Sequence, residues 1–479
     1  MTHVLFTSYN MGPSFSTIKF DQGARKVVNS LMEGIQQQFS NIQGQQVDVI
    51  TSGKSDAVVK QAAVAYDKAK AMINPADQNK SKAKTNSVGQ TKLSPTKAIA
   101  QSQEEVEEDG TETWKTILFW SSWFGSDWSG RFGTTNATEL RLEGCPSWQC
   151  RFTYDRNLTN TADAIVFNAN NFGPKTMPNP PRPWYQRWVW VLVESQVSPI
   201  TRSRMVGLNR HNTSHLVNWT MTHHSGSDVV AFYGKFLSLG DTTRPLRPNL
   251  MSQHEKTLKS YMKDLKAGRT LEDVMGPSWS TFVKRPKIVA WMSSHCSTRS
   301  RREAYVKELQ KYMPVGMYGR CGTQVCRPTG PLKKPCWRHE LSTNYSFYLS
   351  MENSLCEDYI TEKLYNPLQY NLVPVVYGGA DYTKYLPPHS YINAHHYHPR
   401  DLAALLTRLH NDPVEYGRYH LWRGYFTASV RGSFCELCHL LHTSTTPSHH
   451  THISSWFKNP TMCHSPPKNM SELYTKNLT

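Results

Sequence analysis

The 479-residue sequence contains no run of about 18 apolar residues, the length an apolar helix needs to cross a bilayer. Its start, MTHVLFTSYN, lacks a basic stretch followed by an apolar one, so neither anchor nor signal is legible in the chain as given. There is no Asp-x-Asp, which removes the usual motif for holding a diphosphate through a divalent cation. Cys435-x-x-Cys438 is the only CxxC, so paired zinc half-sites are missing, and His439 and His442 leave only a weak CxxC…H pattern as a zinc alternative. Negative charge is short, with 37 Asp and Glu against 54 Lys and Arg, a net charge of +17. That surplus suits an anionic membrane surface, a nucleotide diphosphate or a merely solvated basic surface. A nucleic-acid partner is not expected, because the basic residues are dispersed and neither an RNP-type aromatic motif nor zinc-finger spacing accompanies them.

What the chain does have is core material: 38% hydrophobic and 11% aromatic residues, including 14 Trp, enough for two α/β domains and incompatible with a disordered or fibrous protein over most of its length. Ten cysteines and eight Asn-x-Ser/Thr sequons, starting at Asn79, Asn136, Asn157, Asn212, Asn218, Asn344, Asn469 and Asn477, favour an oxidising secretory lumen. In such a compartment most of the cysteines form disulfides.

Residues 1–113 read as a low-complexity stem or linker, rich in Gln, Lys, Ser, Thr and Ala and carrying the acidic stretch EEVEEDG at 104–110. Folded structure starts at Trp114. KTILFW (115–120), AIVFNA (164–169) and RWVWVLVES (187–195) read as strands, the last as one covered on both faces. After a Pro-containing stretch at 240–286 comes an alternation: strand 287–293, helix 299–313, strand 314–319, strand 345–354, helix 358–371 and strand 373–378. Strand–helix–strand repeats of this kind predict doubly wound parallel sheets, with ligands at the carboxyl ends of the strands. The expected division is 114–270, 271–442 and a tail at 443–479.

The segment Tyr345–Lys363, YSFYLSMENSLCEDYITEK, resembles FYLxFENSxxxDYITEK, the most diagnostic motif of the α1,3-fucosyltransferases, glycosyltransferase family 10. QRWVWVLVES, NWTMTHHSGSD, KIVAWMSSHCSTRSRREAYVKEL, YGRCG and LVPVVYGG continue the resemblance in order over roughly 114–442. It implies a GT-B type fold of two Rossmann-like domains facing a cleft, with the acceptor on the first and GDP-fucose on the second. It further implies inverting transfer of L-fucose to N-acetylglucosamine of a glycoprotein glycan in the Golgi lumen.

Such a transfer needs a base for the acceptor hydroxyl and cations for the departing diphosphate. With no Asp-x-Asp, protein cations take that place, so no metal is expected to be required, with non-essential stimulation by Mn²⁺ or Mg²⁺ left open. Arg302 and Lys363, on helices that follow strands, are the expected phosphate contacts, with Arg299 and Arg301 as rivals. Tyr359, Glu362 and Lys363 are expected to share a helix face, Glu362 lying by the fucose. Tyr348, Glu352, Asn353 and Ser354 are expected near the donor base and ribose, although Glu352 reads equally as a structural hydrogen-bonding group. Glu194, leaving the apolar strand WVWVLV, is the expected base.

The sequence departs from the family pattern at three places: Met351 for Phe, His295 for Asn, and His223-His224 for a Tyr-Arg pair. They keep a catalytically silent glycan- or nucleotide-binding paralogue among the readings. The cysteine-rich pieces CGTQVC, the ENS motif with Cys356, and SFCELC resemble invertebrate and plant enzymes of the N-glycan core more than Lewis-type enzymes acting on N-acetyllactosamine, which remain the alternative.

Overall fold

The structure, a computed structural model, describes residues 113–466 apart from short internal stretches, the longest being 204–213 and 326–335. The predicted stem, the sequons at Asn79, Asn212, Asn469 and Asn477, and Cys326 therefore lie outside the described residues.

The first half is built on β1 (Lys115–Phe119), β2 (Cys150–Thr153), β3 (Ala164–Asn168), β4 (Arg187–Leu192), β5 (Trp219–Thr222) and β6 (Val229–Val230), an all-parallel sheet in the order β2-β1-β3-β4-β5-β6. β4 sits inside this sheet and is buried along its whole length, as its unbroken apolar run predicts. Each fully covered side chain of Trp188, Val189, Trp190, Val191 and Leu192 contributes roughly 1.5–3 kcal/mol of burial. One face of the sheet carries Ile117, Phe119, Val166, Val189, Val191 and Met221; the other carries Leu118, Ile165, Phe167, Trp188, Trp190 and Leu192. Asn218, a predicted sequon, is buried beside β4, where its Oδ1 accepts from Trp188 N at 2.8 Å.

After β7 (Lys235–Ser238) and helix α1 (Glu255–Lys266) comes the second half: β8 (Lys287–Met292), helix α2 (Arg302–Leu309), β9 (Val315–Tyr318), β10 (Tyr345–Met351), the short β11 (Leu355–Cys356), helix α3 (Glu362–Gln369), β12 (Val373–Tyr377), β13 (Ile392–Asn393) and helix α4 (Pro399–Asn411). Its sheet is again parallel, in the order β13-β12-β10-β8-β9. α2 and α4 pack on one face through Tyr305, Val306, Leu309, Leu402, Leu406 and Leu409, and α3 covers the other with Leu364, Tyr365 and Leu368. Two parallel sheets with helices on their faces are the doubly wound α/β architecture that the sequence predicts.

The predicted helices start later than expected, for identifiable reasons. α2 begins at Arg302 because Arg301 takes a left-handed conformation, with φ of 53°. α3 begins at Glu362 because Asp358 is left-handed at φ 57° and Thr361 is the N-cap. Tyr359 thus lies in the turn before α3, and the expected Tyr359–Glu362–Lys363 helix face does not form.

The end of the chain also departs from the expected division. After β14 (Phe426–Ser429), antiparallel to β7, helix α5 (Cys435–Thr443) returns to the first half. There Leu437, Cys438 and Leu441 pack against the face formed by Ile117, Phe119 and Val166. Disulfides Cys145–Cys435 and Cys150–Cys438 fasten it, which ends the zinc alternative, since both sulfurs of the CxxC are spent in cystines. Within the predicted tail, Ile453 and Phe457 pack on Trp190 and Leu192, and β15 (Cys463–His464) pairs with β11 and is cross-linked to it through Cys356–Cys463. No described helix is long and apolar enough to cross a membrane.

Candidate active site

The carboxyl ends of β4 and β10 meet. Glu194 follows β4 and is half-buried. Its Oε1 accepts from Ser195 N at 3.0 Å and from the hydroxyl of Tyr359 at 2.6 Å, across a sequence separation of 165 residues. Next to it, the buried hydroxyls of Ser195 and Ser354 pair at 2.8 Å. One loop further, Asp358 accepts from Ser225 N at 3.0 Å and from Tyr385 Oη at 2.5 Å. These bonds lower the Asp358 pKa against the opposing effect of burial. Three residues of the β10–α3 connection, Ser354, Asp358 and Tyr359, are thus stapled to the loops that follow β4 and β5.

Glu352 ends β10 and is 1% exposed. Its carboxylate accepts from Thr361 N at 2.8 Å and Thr361 Oγ1 at 2.9 Å, and it lies 3.3 Å from Lys363 Nζ. Burial pushes this carboxyl up, and Lys363 opposes the shift. Lys363 Nζ also reaches Thr361 Oγ1 at 2.8 Å and the half-exposed Glu362 at 3.1 Å. Burial alone would lower the Lys363 pKa, but the two carboxylates outweigh it and hold the ammonium charged. The structure therefore brings together Glu352, Glu362 and Lys363 at the amino end of α3, where the helix terminus and a cation suit phosphate.

Arg302 is placed differently from the open phosphate contact expected of it. It is 3% exposed, and its guanidinium donates to Met351 O at 2.5 Å and Ser293 Oγ at 3.0 Å beneath the turn, while Nε has no hydrogen-bond partner. Burial lowers its pKa from the usual arginine value. The rivals Arg299 and Arg301 are exposed. Tyr348 lies within β10 against Trp337, with ring centroids 4.8 Å apart, and its hydroxyl donates to Met292 O at 3.3 Å. Asn353 accepts from Ser300 N through its carbonyl, and its Oδ1 has no partner.

The sequence reading missed Ser195, Thr361 and Tyr233 as members of this neighbourhood, and marked His223 only as a departure from the family pattern. Tyr233 donates to Val193 O at 3.2 Å, beside the base. The His223 ring meets Tyr359 edge-on at 5.0 Å, and burial depresses its pKa to about 3. Thr361 alone carried a legible signal, as an N-cap residue before an apolar-periodic helix.

Among the described residues, His224, Glu357 and Asp358 bring metal-capable atoms within 4.8 Å of one another. Asp358 is already committed as above, and His224 Nδ1 accepts from Gly226 N at 3.0 Å. The second such group, Cys150, Cys438 and His442, contains a cystine and offers no thiolate.

Two family models match this chain: "Fucosyltransferase, N-terminal" over residues 112–234 and "Glycosyltransferase family 10 (fucosyltransferase) C-term" over residues 282–456. Both ends of the site, Glu194 and the segment 345–363, fall inside these matches. The chain belongs to the glycosyltransferase family 10 fucosyltransferases. It is 34% identical over 354 residues to alpha-(1,3)-fucosyltransferase C of Drosophila melanogaster, covering 72% of this chain and 78% of that protein. Glycoprotein 3-alpha-L-fucosyltransferase A of the same organism is 28% identical over 373 residues, covering 76% of this chain and 64% of that one. The crystal structure of an alpha1,3-fucosyltransferase with GDP-fucose superposes with a TM-score of 0.41 at 17% identity, covering 72% of this chain and 95% of the other.

Proposed function

We propose that the protein transfers L-fucose from GDP-β-L-fucose, with inversion, in α1,3 linkage to N-acetylglucosamine of a glycoprotein glycan, the N-glycan core being the preferred acceptor. The observation that carries this reading is the meeting of Glu194 with the Tyr345–Lys363 segment. A strand-end carboxylate stands beside a helix amino terminus furnished with Lys363, as single displacement at a nucleotide-sugar carbon requires.

In that displacement Glu194 takes the proton of the acceptor hydroxyl, whose oxygen forms the new bond to fucose C1. The C1–O bond to the diphosphate breaks, and its electron pair leaves with GDP. Lys363 and the amino end of α3 hold the departing charge, and Glu362, half-exposed at the same terminus, faces the positive charge growing on the sugar ring. Tyr348, Asn353 and Ser354 line the donor side. Protein cations serve where other glycosyltransferases use a metal, so the reaction proceeds without one. The activity belongs in the Golgi lumen, a setting consistent with the disulfides Cys145–Cys435, Cys150–Cys438, Cys296–Cys321 and Cys356–Cys463.

The core preference draws on the cysteine pattern and on the similarity to a protein named as a glycoprotein 3-α-L-fucosyltransferase. The test is transfer of labelled fucose from GDP-fucose, with EDTA present, to an N-glycan with an exposed chitobiose core and to N-acetyllactosamine side by side. Product on the first alone is the expected result. Product on the second alone makes the enzyme Lewis-type, and GDP binding with no product on either marks a silent paralogue.

A further inference from the structure

The resemblance places Tyr359 among the donor contacts, but its hydroxyl is already used. Tyr359 is 1% exposed and donates to Glu194 Oε1 at 2.6 Å, a short bond of the charge-assisted kind. Ser195 N donates to the same oxygen at 3.0 Å. No described residue donates a hydrogen bond to Oε2. One oxygen of the carboxylate is doubly held, and the other is left for a ligand.

The phenol is itself fixed from several sides. It sits in the turn whose Asp358 is clamped by Ser225 and Tyr385, and its ring rests against the buried ring of His223. Tyr359 N also donates to Cys356 O at 3.3 Å, next to the Cys356–Cys463 cross-link. Burial keeps its hydroxyl protonated, and hence a donor.

We infer that Tyr359 is a positioning residue for the base: it pins Oε1 of Glu194 so that Oε2 alone receives the acceptor proton. This deepens the proposed function and rests on the assignment of Glu194 as base. Because the tyrosine belongs to the donor motif and the carboxylate to the first sheet, the bond makes the aim of the base depend on the contact between the two halves. Proton transfer is sensitive to small misplacements of this kind.

The test compares Tyr359→Phe, Glu194→Gln and the double variant in the full chain. It measures GDP-fucose and GDP affinity by calorimetry, and kcat with the acceptor that the parent uses. Tyr359→Phe keeps the ring, so it is expected to bind GDP within about twofold of the parent and to lose on the order of 10- to 100-fold in kcat. In the Glu194→Gln background the same change is expected to cost nothing further, because the bond it serves is already without purpose. A tenfold or greater loss of GDP-fucose affinity in Tyr359→Phe, or a kcat loss of equal size in both backgrounds, overturns the inference. Parental kcat in Tyr359→Phe beside an inactive Glu194→Gln removes the inference alone, whereas parental turnover in Glu194→Gln removes the base assignment and this inference with it.

Discussion

Two strand ends, those of β10 and β4, each carry a carboxylate into the same neighbourhood, but they are held in opposite ways. Glu352 at the end of β10 finds its partners within the next eleven residues, in Thr361 and Lys363. Glu194 beyond β4 has its neighbour Ser195 and otherwise depends on Tyr359, from the other half of the molecule. The Glu352 carboxylate is held from within its own segment, and the Glu194 carboxylate is completed from outside. Damage to the first should therefore appear as lost binding and stability, and damage to the second as lost turnover.

The largest effect expected is on the base side. Glu194→Gln should lower turnover by two or more orders of magnitude while GDP affinity stays nearly parental, since only a proton acceptor is removed. Single-turnover kinetics and calorimetry on the same preparation separate the two quantities, and loss of GDP affinity in this variant would dissolve the contrast between the two turns.

On the donor side, Lys363→Ala leaves Glu352 buried without its cation. Unfolding by urea should show a loss of roughly 2–3 kcal/mol, and GDP affinity should fall tenfold or more. Adding Glu352→Gln should restore most of the stability and none of the GDP affinity, because the amide no longer needs the ammonium whereas the phosphate still does. Recovery of both would place Lys363 outside the donor site.

Acid should weaken both halves together. His223, in the first, and His395, in the second, are held neutral chiefly by burial, with pKa values depressed to about 3 and about 4. Unfolded, each takes up a proton as the pH falls through about 6.5, so the unfolded state binds more protons and stability declines with falling pH. The decline is up to about 1.4 kcal/mol per pH unit for each histidine and continues until the folded pKa is reached. Urea midpoints between about pH 7 and about pH 5 measure the slope. His223→Phe should flatten it by one proton, and an unchanged slope would mean that this ring already titrates in the fold.

The smallest effect sharpens the comparison most. Ser195→Ala removes the buried hydroxyl pair with Ser354 at a cost of about 1 kcal/mol. Turnover is expected to suffer more than GDP affinity, because the loop that carries Glu194 loses one of its staples. An effect on GDP affinity alone would assign Ser354, and not the base loop, as the partner that matters.

The difference between the two turns also marks what could be read from residue order. The end of β10 was legible because its partners are local: strand, turn, cap and helix follow one another within the motif, and Glu352, Glu362 and Lys363 duly assemble. The strand β4 was legible from its apolar run, and so was the carboxylate that leaves it. What holds that carboxylate was not legible, since Tyr359 and Ser354 lie 165 and 159 residues away from their partners. Arg302 shows the same limit from another side. Its place after β8 could be anticipated, but not that its guanidinium would be consumed by Met351 O and Ser293 Oγ. The return of α5 to the first sheet was hidden as well, because an amphipathic helix does not announce which of two sheets it will cover.

That return bears on how the protein is made. Cys145 and Cys150 find their partners 290 and 288 residues later, and Cys356 finds its own 107 residues later. A ribosome delivers the first sheet long before the helix that roofs it. Until Cys435 and Cys438 emerge, Phe119, Val166 and Val191 have only local cover, such as Trp128 stacked on Phe119, and Cys145 and Cys150 wait for their partners. The cover of the first sheet is thus completed only once α5 has emerged, and a stop before residue 435 removes both the helix and the two cross-links that fasten it.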